Sequence, residues 1–144
     1  MTSWRDSASV LAQADLDGLL NALLPFAQQE LEKLGEFFPF GAIVTADGET
    51  RLLGADAMQG ERPDSVSIIS MLLTEAQNKR GELRAVGICS DVRAADSDAI
   101  RIDLEHSEGA AMAVLLPYSK KRFGRGIEYA ALQAGVATNQ VWTI

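Results

Sequence analysis

From Ser9 to Leu34 the apolar side chains Leu16, Leu19, Leu20, Leu23, Leu24, Ala27, Leu31 and Leu34 return every three or four positions. That period belongs to one face of a helix and predicts a first helix over this stretch. Pro25 falls inside the pattern. Lacking an amide proton and clashing with the turn before it, it is expected to kink the helix or to open a second segment. Gly35 follows directly and suits the left-handed residue that ends many helices. Gly41–Ala46 and Glu49–Gly54 are strand-like runs separated by Asp47-Gly48, the spacing of a two-residue β-hairpin turn. A second helical period opens at Pro63 and Asp64, carries Val66, Ile69, Leu72, Leu73 and Ala76, and closes on Lys79, Arg80 and Gly81.

Strand character dominates beyond that point, at Leu83–Val92, Ile100–His106 and Met112–Tyr118. In the middle strand Ile100, Ile102, Leu104 and His106 alternate with Arg101, Asp103 and Glu105, so one face is expected in the core and the other in water. Gly126–Ala134 is expected to form a short helix, and Val141–Ile144 a last strand. This order lacks the regular strand–helix alternation of a parallel α/β protein. The expected fold is α+β, with two main helices on one face of an antiparallel sheet of about five to six strands. No linker-like stretch divides the 144 residues, so a single domain over 1–144 is expected.

Composition narrows the function. Twenty acidic side chains against thirteen basic ones give a net charge of -7, which argues against nucleic acid and anionic membrane as partners. The one cysteine, Cys89, cannot form an internal disulfide, and residues 1–10 lack the apolar core of a signal peptide. A cytoplasmic location is expected.

His106 is the only histidine, which excludes metal sites built on two or more of them. Glu105 and Ser107 flank it, but neighbouring strand residues point to opposite faces, so Glu105 is not expected to orient the imidazole. Asp91, Asp96, Asp98, Asp103 and Glu105 lack the calcium-loop spacing. They are expected on a solvated face, with Arg101, Arg84 or Arg93 as charge partners. No phosphate loop or dinucleotide fingerprint is present, and no cofactor is expected.

Two segments stand out as candidate binding elements. Lys120, Lys121, Arg122 and Arg125 form a basic, glycine-containing cluster around Phe123 in an otherwise acidic chain, suited to docking an acidic partner or a small anion. Lys33–Gly41 (KLGEFFPFG) crowds Phe37, Phe38 and Phe40 between helix and hairpin. Those rings are expected to plug the end of the core or to line a pocket that Tyr118, Tyr129 and Trp142 extend.

The KLGEFFPFGA stretch, placed between an amphipathic helix and an Asp-Gly hairpin, resembles a family of small uncharacterised bacterial proteins, and RIDLEH leading to a strand ending LPY resembles their later strands. The resemblance implies a compact α+β fold and assigns no catalytic residue. Because no complete nucleophile, base and orienting group appears at a recognisable spacing, the leading expectation is a non-enzymatic binding or interaction factor of accessory or immunity type. The alternative is a small-molecule binder or enzyme with an aromatic pocket whose polar groups are Glu36, Arg101, His106 and Tyr118. A protein partner is expected, and a homodimer through the apolar edge Val141–Ile144.

Overall fold

Why the first leucine stripe makes one helix is visible at its two ends in the computed structural model, which describes residues 8–53, 64–93, 96–121 and 126–143. Helix α1 (Val10–Leu34) starts where the Ser9 hydroxyl accepts the Ala12 amide at 3.0 Å. It stops at Gly35, whose φ of 80° lets its amide close back on the Leu31 carbonyl. Pro25 opens no second segment: one helix runs through it. Pro25 and Asn21 are both exposed, so the Asn21 carbonyl that loses its usual donor faces water. Leu23 and Ala27, buried on either side of Pro25, hold the helix to the core.

Strands β1 (Phe40–Thr45) and β2 (Thr50–Leu53) form the Asp-Gly hairpin. Helix α2 (Ser65–Lys79) is capped by the Asp64 carboxylate, which accepts the Ser67 amide at 2.7 Å. A 3-10 turn (Arg80–Glu82) leads into β3 (Leu83–Arg93), followed by β4 (Asp98–His106), β5 (Ala111–Lys120), β6 (Ile127–Tyr129) and β7 (Gln133–Val136). The sheet is antiparallel with order β2-β1-β3-β4-β5-β6, and β7 takes a further stretch of the β5 edge.

The α+β class and the antiparallel sheet match expectation, and four details differ. The helices lie on opposite faces of a seven-stranded sheet, not on one. Against α1 pack Ala42, Val44, Ala85, Cys89, Ile100, Ile102, Leu104, Met112, Val114 and Leu116. Against α2 pack Ile43, Leu53, Leu83, Val86 and Ile88, the intervening residues of β1 to β3. The segment expected as a helix at Gly126–Ala134 instead adds β6 and the start of β7, since the open edge of β5 supplies backbone partners that a short isolated helix lacks. Val141–Thr143 form no strand; Val141 drops into the α2 core, and Ile144 lies outside the described residues. Val66, expected on the buried stripe of α2, is 78% exposed.

Gly87 sets how closely α1 rides on the sheet. A Cβ there would stand 2.6 Å from Leu23 Cδ1 and 3.0 Å from Leu104 Cδ2, both buried side chains. Gly87→Ala is therefore expected to cost about 1 to 3 kcal/mol of stability through forced rotamer shifts. Urea unfolding measures this, and a variant as stable as the native chain would show that the helix has room to lift.

Candidate functional site

At the end of the sheet where α1 stops, the phenylalanine segment turns the chain from helix to β1 and opens a groove of about 850 Å3. Phe26, Leu34, Phe37, Phe38, Phe40 and Leu52 supply its apolar lining, with Glu30, Glu36 and Asp91 among them. Phe40 is the hub: its ring meets Phe26 edge-on at 4.9 Å and Phe37 at 5.8 Å. Phe37 and Phe40 pack against the α1 core, while Phe38 packs against the α2 core, so the segment plugs both cores and lines the groove as well. Phe26, Leu34 and Leu52 stay 44%, 67% and 70% exposed.

Asp91, at the end of β3, ties this segment down. Its carboxylate accepts the Tyr118 hydroxyl at 2.5 Å and the backbone amide of Phe37. Burial pushes the Asp91 carboxyl above the ordinary 3.8; the hydrogen bonds from Tyr118 and Phe37 oppose this, and the nearby Asp98 and Glu36 carboxylates reinforce it. Burial and then the Asp91 hydrogen bond push the Tyr118 phenol upward in turn.

Among the expected site residues, the structure brings Glu36, Phe38 and Phe40 together in the groove and places Tyr118 behind it through Asp91. Lys120 lies close by, its ammonium over Gly35 at the carboxyl end of α1, where a cation suits the helix dipole. Lys121 is exposed beyond it; Arg122 and Arg125 lie outside the described residues. Arg101 is elsewhere, on the α2 side of the sheet, paired with Asp103 at 3.0 Å. Trp142 packs against the α2 core and is not among the residues that line the groove.

His106 is far from the groove and engaged on both nitrogens. The Glu108 amide donates to Nδ1 at 3.1 Å, so the proton sits on Nε2, which donates to Asp15 Oδ2 at 2.8 Å. Arg84 completes the cluster, its Nη2 2.6 Å from Asp15 Oδ1 and its Nε 3.1 Å from Oδ2. Arg84 reaches Asp15 because it is the extra residue of a bulge: Val44 pairs with Ala85 and Thr45 with Leu83. It is therefore not the cross-strand partner of Asp103 or Glu105. His106 is 1% exposed and Asp15 8%, and among the described residues no hydroxyl or thiol nucleophile is a hydrogen-bond partner of either. The cluster is a satisfied polar plug. Cys89 is fully buried, its thiol pushed upward by burial and then by Asp91 and Asp103, which leaves a packing residue and not a reactive one.

Among the described residues no three histidine, cysteine, aspartate or glutamate side chains converge as metal ligands, and no helix is long and apolar enough to cross a membrane. No protein-family model, curated protein or solved structure matches the chain.

Proposed function

We propose that this protein is a non-enzymatic binding factor, of accessory or immunity type, that receives its partner in the phenylalanine groove. One observation carries the reading: a contiguous, open apolar surface of ligand-pocket volume is lined by rings that pack on one another and are tied to the sheet. These rings are the Phe26–Phe40–Phe37 stack pinned by Asp91. Surface apolar residues scattered singly need no explanation, but Phe26, Leu34 and Leu52 line one cleft together.

A neutral apolar fluorophore, N-phenyl-1-naphthylamine, is expected to brighten on the native protein. Replacing the exposed pair Phe26 and Leu34 by serine is expected to weaken its binding by at least about tenfold, since burying even one apolar side chain on binding contributes on the order of 1.5 kcal/mol. Unchanged dye affinity in that double variant would remove the groove from consideration.

A second reading, a small-molecule binder or enzyme, draws on Asp91, a partly buried carboxyl with a raised proton affinity that opens on an aromatic cleft. Homodimerisation is a separate proposal. It would use one of the sheet's edges, β2 or the β6 and β7 side, and a monomer by light scattering at micromolar concentration refutes it.

A further inference from the structure

Among the described residues, the charged groups lining the groove are all acidic. Glu30 projects from the last third of α1, Glu36 from the phenylalanine segment and Asp91 from the end of β3, and all three line the same cleft as the rings. Glu36 is close enough to act on Asp91, as does Asp98 from outside the lining. Lysine and arginine are absent from the described lining; Lys120 stands over Gly35, outside it. An apolar cleft edged by carboxylates repels anionic ligands and favours a cation twice over, by charge and by the negative faces of the aromatic rings.

The shape points to a polypeptide. Leu52 and Leu53 of β2 form one wall, and β2 is the outermost strand on its side of the sheet. Among the described residues no strand pairs with its outer edge, so an extended chain laid there would find backbone partners beside the apolar cleft.

We infer that the groove takes a short, basic, apolar segment of a partner protein, its aliphatic or aromatic side chains among Phe26, Phe37 and Phe40 and its lysine or arginine against Glu30, Glu36 and Asp91. This inference rests on the groove reading above and adds the chemistry of the partner.

The test uses two labelled ten-residue peptides of identical leucine and phenylalanine content, one with lysines at its polar positions and one with glutamines. Fluorescence anisotropy is read on the full-length protein. The lysine peptide is expected to bind at least about tenfold more tightly at low salt, with the advantage shrinking as salt screens the carboxylates. E30Q/E36Q, which alters one half-buried and one exposed side chain, is expected to abolish the preference. E82Q/E108Q is the control: it removes the same net charge from exposed sites outside the cleft and is expected to preserve the preference. Equal affinity for the two peptides, or equal loss in both double variants, overturns the inference. If the peptides show no charge preference while N-phenyl-1-naphthylamine still binds, the groove reading survives alone. If neither dye nor peptide binds, both fall.

Discussion

Asp15→Ala is expected to destabilise the protein by about 3 to 5 kcal/mol, the usual cost of removing one partner from a buried charged cluster. The Asp15 carboxylate accepts from Arg84 Nη2 at 2.6 Å, Arg84 Nε at 3.1 Å and His106 Nε2 at 2.8 Å. Without it Arg84, about a quarter exposed, can swing toward water. The His106 imidazole cannot: it is 1% exposed, and its other nitrogen is held by the Glu108 amide. The N–H left behind has no acceptor, and α1 loses its only ion pair to β3 among the described residues. Chemical denaturation monitored by circular dichroism checks this. A loss below about 1 kcal/mol, the size expected for a surface ion pair, would show that the cluster is incidental.

The same carboxylate gives an acid limb to stability. Burial pushes Asp15 upward, but the hydrogen bonds from Arg84 and His106, with the positive charge of Arg84, outweigh it and hold the carboxyl below 3.8. A folded pKa below the unfolded one means stability that is present above about 3.8 and lost as pH falls through the folded value. Asp91, raised instead, works with the opposite sign. Comparing the native chain with Asp15→Asn between neutral and strongly acid pH isolates the first effect. The stability gap between them is expected to narrow as pH falls, and a gap independent of pH would contradict the assignment.

How much of this was legible varied with how local each signal was. The leucine stripe, the Gly35 stop and the Asp-Gly hairpin are written in neighbouring residues, and each formed where the period placed it. Placement of the helices on opposite faces is a tertiary property, yet β3 carried a trace of it. Ala85 to Ser90 are buried without interruption, whereas β4 alternates from Ile100 to Leu104. An unbroken apolar run belongs to a strand covered on both sides, so the Ala-Val-Gly-Ile-Cys sequence already required a second layer. At Gly126–Ala134 the misleading signal was a mixture of spacings. Ile127 and Tyr129 alternate around Glu128 as a strand does, and pairing with Lys120 and Tyr118 decided the outcome.

The groove was half legible. Aromatic crowding between two glycines marked Phe37, Phe38 and Phe40, but Phe26 lies a full helix turn or more before them, and Asp91 arrives from another strand. Asp15 carries a local sign: it sits on the buried face of α1 between Ala12 and Leu16, and a carboxylate among leucines must meet a cation or a donor from elsewhere. Which donor it meets depends on a contact spanning 91 positions, which periodicity cannot reach.

Alternation along β4 separates His106 from Glu105, and the fate of Glu105 defines the second large effect. Its carboxylate, 7% exposed, points to the α2 side and collects three consecutive backbone amides: Gln140 at 2.7 Å and Val141 at 3.2 Å on Oε1, Val141 at 2.9 Å and Trp142 at 2.6 Å on Oε2. Successive amides aimed at one anion form a nest. Here the anion belongs to the protein, and it fastens the C-terminal segment over β4 beside α2. Gln77 and Arg80 hold the carbonyls of Gln140 and Val141 from the other side, and Val141 is buried in the α2 core. Glu105→Gln keeps the shape but turns one acceptor into an NH2 group facing N–H donors. The expected loss is about 2 to 4 kcal/mol, given that a hydrogen bond to a charged group contributes on the order of 1.5 to 3 kcal/mol and that the new donor is itself left unpaired. Hydrogen exchange locates the effect: the amides of Gln140, Val141 and Trp142 are expected to exchange much faster, while those of β3 and β4 follow only the global change. Protection of the three amides that persists in the variant would show that the α2 contacts alone hold the segment, and that the buried carboxylate is not its fastening.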